Sequence, residues 1–247
     1  MSALLRAELR ATASNPVTWW LLLAVAAIGV VGTLAPLFAT EATGVALLTD
    51  RSLQEAMHGA AAGASLVLVA GIVSMAGEWR WGQVTQSLLT TPRRSQLVAA
   101  KVTVNAGVGL VFGIAAGTAA LLAAMGWYRA NDLSLPLDRA AVWLTLLGCL
   151  AVSMVFGVLG VAVGAIVRNV VAAVVGALAW QVLVEPALFA ASPSVFRWLP
   201  GMASFTLRRQ PAEGLLTMGP AVTVLSVVLV TALAVGIWIV ERADVTA

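Results

Sequence analysis

The residues of this chain that are able to do chemistry are few and widely spaced, and none is grouped as catalysis requires. His58 is the only histidine, so neither a paired-imidazole haem site nor an H-E-x-x-H zinc site can be built from it. Cys149 is the only cysteine and sits inside the apolar run LTLLGCLAVSMVFG, where a thiol reads as a small buried hydrophobe. No serine is accompanied by a histidine and an acid in a plausible triad, and no G-x-x-x-x-G-K-[ST] phosphate loop occurs. No catalytic, metal-binding or cofactor-binding residue is therefore expected. What remains is polar chemistry in apolar surroundings. Glu185 lies in WQVLVEPALFA, where an acid costs about 2.5–3.5 kcal/mol to insert in a bilayer and so faces a partner or a cavity. It reads either as part of a translocation path or outer gate, or as a boundary residue bonded to backbone amides freed by a helix break. Pro186 follows it and disfavours helical geometry at Glu185, which predicts a break there. Asn105 and Gln181 are uncharged polar residues inside apolar stretches, suited to bonds between helices or to contact with a substrate.

The elements that must hold these residues follow from composition. Apolar residues make up 61% of the sequence and charged ones 10%, against roughly half and a quarter in soluble domains, which puts the chain in the membrane class. Six stretches reach the ~20 residues that cross a bilayer, near 17–39, 56–76, 98–126, 139–166, 170–190 and 218–240. Backbone amides in lipid must be satisfied within each segment, and no alternating barrel pattern exists, so the spans are helical. Residues 1–247 read as a single transmembrane domain. The first apolar stretch is too long for a signal-peptide core and lacks a clean cleavage site, so it reads as an uncleaved span. Before it, residues 2–14 place Leu4, Leu5 and Leu9 on one face and Arg6 and Arg10 on another, as expected of an amphipathic helix at the membrane surface. Asn15 and Pro16 then supply a cap and a first-turn proline for span one. GxxxG spacings at Gly59–Gly63, Gly113–Gly117 and Gly160–Gly164 suggest close helix packing.

With the N-terminus inside, the cytoplasmic segments hold Arg6, Arg10, Arg80, Arg93, Arg94, Lys101, Arg168 and Arg242. The outside segments hold Arg51, Arg129, Arg139, Arg197, Arg208 and Arg209. The difference is small, but four of the inside residues cluster in one short loop, which favours both termini in the cytoplasm. The Arg208–Arg209 pair has no account from charge alone. The clustered loop, 77–97, is the longest polar stretch on that side. Glu78 and Arg80 stand where span two leaves the membrane, flanked by Trp79 and Trp81, which favour the interface. Gly82 permits a turn, residues 83–91 suit a short helix carrying Leu88 and Leu89, Pro92 ends it, and Arg93 and Arg94 follow at headgroup level. Such a segment is either a docking device for a soluble partner or an ordinary positive loop.

The string GEWRWGQVTQSLLTTPRRSQLVAAK resembles the cytoplasmic loop of small six-span ABC exporter permeases, the class encoded apart from its ATPase. The family pattern runs Glu, aromatic, Gly-Thr, Leu-Leu, a Pro-Arg-Arg or Pro-x-Arg turn, then a Lys opening span three. Glu78, Trp79, Gly82, Leu88, Leu89, Pro92, Arg93, Arg94 and Lys101 occupy those places, while Gln83 stands where threonine is usual. The amphipathic start, six spans and a long connection at 191–217 agree. The resemblance implies an all-α membrane protein with a cytoplasmic coupling helix and a re-entrant outer segment between spans five and six, punctuated here by Pro193, Pro200, Gly201 and Pro211. It also implies a second permease subunit, in a homodimer or close heterodimer, and cytoplasmic ATP-binding-cassette subunits that bind the ATP and magnesium. The function expected is export of hydrophobic or amphiphilic cargo (a drug, peptide antibiotic or lipid) across the bacterial inner membrane. A membrane immunity or assembly factor using the same bundle without transport is the rival reading.

Overall fold

Helix formation begins where the sequence supplies a cap. In a computed structural model that describes residues 2–40, 44–80 and 94–242, α1 (Ser2–Ser14) ends one residue before Asn15, whose Oδ1 accepts the Val17 amide at 3.0 Å to open α2 (Pro16–Ala39). Two 3₁₀ turns, Gly44–Leu48 and His58–Ala61, flank α3 (Asp50–Met57), and the second turn leads to α4 (Ala64–Arg80). The long α5 (Arg94–Ala130) and α6 (Ala140–Val167) follow. After them come α7 (Val170–Ala179), a π turn (Trp180–Val184) and α8 (Glu185–Ala191), then the short α9 (Pro193–Phe196) and α10 (Pro200–Leu207), and lastly α11 (Met218–Glu241). Among the described residues every regular element is helical.

Six helical stretches are long and apolar enough to cross a membrane: Pro16–Ala39, Asp50–Glu78, Ser95–Ala130, Ala140–Val167, Val170–Ala191 and Met218–Glu241. All six expected spans are present. The second starts six residues early because Thr49 caps α3, its Oγ1 accepting the Ser52 amide, so a polar turn of helix precedes the apolar run. Only 11% of the most apolar stretch in each of the last two spans is buried in the chain itself, and large apolar side chains such as Trp20, Phe38, Leu183 and Val230 face outward. A water-soluble chain would not leave that surface bare; a membrane protein does.

The bundle is organised around α6, which packs on α4, α5 and α11. Without a hydrophobic drive between helices in lipid, close fit must hold them, and glycines set that fit. An ideal Cβ on Gly160 would strike the Leu68 carbonyl of α4, and one on Gly71 of α4 would strike the Gly157 carbonyl of α6. Gly109 of α5 lies against the Ser153 carbonyl at 2.5 Å by the same measure, and Gly148 admits the Leu207 carbonyl of α10. The Gly160–Gly164 spacing thus marks a real contact with α4, while Gly117 of the Gly113–Gly117 pair is loosely packed. Around the seam, Ile72, Ala76, Val152 and Phe156 form one buried cluster, and Met75, Val98, Val161 and Val240 another.

At the end of the bundle that carries α1, three span ends meet. Arg168, at φ 55°, turns the chain sharply from α6 to α7, Asn169 Oδ1 caps α7 at the Ala172 amide, and Arg168 Nη2 donates to the Ile239 carbonyl of α11 at 2.6 Å.

Replacing Gly160 with Leu will force α4 and α6 apart and abolish a monodisperse peak in size-exclusion chromatography. Gly176→Ala, where a Cβ meets nothing within 4 Å, will melt no lower than the parent.

Candidate functional site

Two polar clusters interrupt the apolar interior, and α4 touches both. The first lies at the α1 end. Lys101 is only 3% exposed on its side chain, yet all three of its protons are used: Nζ reaches Glu8 Oε2 at 2.9 Å, Glu78 Oε1 at 2.6 Å and the Ser74 carbonyl at 3.0 Å. One residue of α5 thereby holds both the surface helix α1 and the last turn of α4. Asn105, one turn further along α5, donates to Ser74 Oγ at 3.0 Å and to the Lys101 carbonyl at 2.9 Å. Glu78 Oε2 is buried without a hydrogen-bond partner. A cavity of about 370 Å³ opens beside the cluster, bordered by Thr12, Asn15 and Thr18 as well as by the charged groups.

The placing of α1 follows from this cluster. Leu4, Leu5, Glu8 and Thr12 form the half-buried stripe, whereas Leu9 is 54% exposed. The stripe turned to the bundle is centred on Glu8, which is drawn onto the buried Lys101 ammonium, and Leu9 is left on the outside. Trp19 Nε1 fixes the junction by donating to the Ala13 carbonyl at 2.9 Å.

The second cluster lies toward the other end. Ser65, near the start of α4, donates to Gln181 Oε1 at 2.7 Å. Glu185 is 1% exposed; its Oε1 accepts the Trp180 indole N–H at 2.6 Å, while Oε2 is packed against the Gly201 backbone in the first turn of α10. Pro186 does not break the span. Glu185 keeps helical angles, φ −61° and ψ −47°, and the chain absorbs the proline through the π turn just before it, where the Glu185 amide bonds to the Trp180 carbonyl five residues back. Arg208, from the C-terminal end of α10, joins this cluster. Its guanidinium lies 4.4 Å from the centre of the Phe205 ring, its Nε is buried without a partner, and burial pushes it down to about 10, still charged at neutral pH. Of the arginine pair that charge counting could not place, Arg208 is turned into the bundle and Arg209 makes the turn at φ 53°.

Cys149 is buried as expected, its thiol facing the Met57 and His58 carbonyls, and His58 Nδ1 stands 3.3 Å from the Gln54 carbonyl. Gln181 and Glu185 share one cavity, while Asn105 belongs to the Lys101 cluster. Arg80 and Arg94 are helix ends on either side of the loop. The other loop residues singled out, Gly82, Leu88, Leu89, Pro92 and Arg93, lie outside the described residues. Sequence reasoning passed over Glu8, Ser74 and Ser65 as partners. Glu78 and Ser74 on one helix and Lys101 and Asn105 on the next are both four apart, a facing pair of polar stripes readable from spacing alone. Nothing in the sequence points to Arg208 as a residue lining the same cavity as Glu185. A cavity of about 690 Å³ between α2 and α5 has no charged side chain among its described lining and offers no comparable chemistry. Among the described residues no three metal-ligating side chains converge. No family model matches this chain, and no curated protein matches it.

Lys101→Met will leave two carboxylates facing an apolar methyl and cost about 3–5 kcal/mol of stability. Adding Glu78→Gln to it will recover part of that loss, measured as melting temperature of the purified protein and its double-mutant coupling.

Proposed function

We propose that this chain is the membrane-spanning permease subunit of an ATP-driven exporter for hydrophobic or amphiphilic cargo, paired with a second permease subunit and powered by separate cytoplasmic ATPase subunits that bind ATP and magnesium. The observation that carries the reading is the Lys101 clamp. Residues 81–93 leave from the end of α4 and return at the start of α5, and Lys101 ties those two flanks to each other and to α1. A push on the loop at Leu88 and Leu89 would then move α1, α4 and α5 as one body instead of being lost in a slack connection. The loop motif Glu78, Gly82, Leu88, Leu89, Pro92, Arg93 and Arg94 supports the same reading by its resemblance to ABC exporter permeases.

The motion has a path to follow. Glu78 and Ser74 stand near one end of α4 and Ser65 near the other, about 20 Å away along a helix rising ~1.5 Å per residue, so α4 connects the clamp with the Gln181–Glu185 cavity. Close packing of α4 on α6 makes that helix a stiff rod. On this reading the bacterial inner membrane holds the chain with both termini and the 81–93 loop in the cytoplasm. Glu185 and Gln181 then belong to the outer half of the translocation path, the connection at 191–217 re-enters the membrane from outside, and Asn105 supports the clamp.

The test is co-purification in nanodiscs with an ABC ATPase encoded beside this gene. The wild type is expected to bind it and stimulate its hydrolysis, and Leu88→Asp with Leu89→Asp is expected to lose both while remaining folded. A folded wild type that neither binds nor stimulates such an ATPase would replace the exporter reading with the non-transporting immunity or assembly factor.

A further inference from the structure

Glu185 is shared by two adjoining spaces of different character. One cavity of about 200 Å³ has a mixed wall, in which Ser65, Gln181, Glu185, Ser204 and Arg208 stand among apolar residues such as Val152 and Phe205. A second, also about 200 Å³, is almost wholly apolar, with Leu68, Phe156, Leu159, Val163 and Trp180 in its wall. Phe156, Gln181, Glu185 and Gly201 line both, so the spaces are neighbours across a shared wall. Together they reach the lower end of the ~300–1,000 Å³ typical of small-molecule sites.

The first space carries two charges of opposite sign that are not paired with each other. Glu185 has the Trp180 indole on Oε1 and the Gly201 backbone against Oε2, Arg208 Nε is buried without a hydrogen-bond partner, and among the described residues no ion pair joins the two side chains. A fold that needed them only for stability would bring them together, because an unpaired buried charge is costly. Val182 and Trp180 border these spaces and are themselves 64% and 44% exposed on the apolar outside of α7–α8, so the way in is from the bilayer.

We infer that the two cavities form one binding site for a zwitterionic single-chain amphiphile drawn from the bilayer. Its ammonium pairs with the Glu185 carboxylate, its anionic group with the Arg208 guanidinium, and its chain fills the apolar cavity. An amphiphile with only one charge leaves either the carboxylate or the guanidinium unanswered. A head group without a chain leaves the apolar cavity empty. Binding stands on the cavities alone; that the bound amphiphile is cargo rests on the exporter reading.

The experiment needs no ATPase, so its failure is separate from failure of the coupling assay. The chain, purified in dodecyl maltoside, is titrated with lysophosphatidylethanolamine, dodecyl phosphate, dodecylammonium and O-phosphoethanolamine, with tryptophan fluorescence as the readout. Lysophosphatidylethanolamine is expected to bind about tenfold more tightly, or better, than each of the other three, the scale of one charge-assisted hydrogen bond. Glu185→Gln, which keeps an acceptor for Trp180, and Arg208→Gln are each expected to erase that preference without lowering the melting temperature below the working range. Equal binding of the three alkyl probes by the wild type would overturn the inference, as would a folded Glu185→Gln variant with unchanged affinity. Should the Arg208 variant fail to fold, the wild-type ranking of the four probes still decides.

Discussion

Two apolar helices in lipid gain little from apolar contact as such, since the acyl chains they displace are as apolar as their own side chains. What holds α4 to α6 is the absence of side chains where the backbones meet, at Gly71, Gly157 and Gly160. Everything else in the molecule is positioned from that seam. It allows α6 to serve as the common wall for α5, α10 and α11, and it fixes α4 at a height where its two ends meet two different polar clusters. A seam of larger residues would spread the bundle and separate Ser65 from Gln181 and Ser74 from Lys101, groups that meet within 3.0 Å.

The two clusters solve the problem of buried charge in different ways. At Lys101 the ammonium is fully answered, by two carboxylates and a carbonyl, so the cluster behaves as a fastening whose worth lies in what it ties together. Around Glu185 the acid has one partner for one oxygen, and the nearby guanidinium is laid over an aromatic ring instead of against the acid. One cluster joins its opposite charges and the other keeps them apart, and a single helix connects the two.

Much of the architecture was legible from apolar run lengths. The six spans, the Asn15–Pro16 junction and the burial of Cys149 follow from hydropathy and capping, both local properties. The rest depends on distant partners or on a second local option that the pattern does not show. Glu8 reads as a polar neighbour on a surface helix, yet it is drawn inward by a lysine 93 residues away. Pro186 was expected to break span five, since the rule for the residue before proline ignores the option of widening the preceding turn. Arg208 reads as a surface charge from its neighbours, and only the fold of α10 against α6, through Gly148, brings it inside.

That widened turn also governs how the Glu185 site is encoded. In an α-helix, residues five apart point about 140° away from one another, so Trp180 and Glu185 would face different surroundings. The π turn inserts one residue's worth of winding and brings them onto the same side, indole to carboxylate. The site is therefore written as a count and not as a composition. A chain one residue longer between 180 and 184 would have the same hydropathy and the same length of span for practical purposes, and its acid would point elsewhere. Substitutions at 181–184 can be conservative or drastic with little bearing on the geometry, whereas a single further residue changes which face of the helix carries the charge.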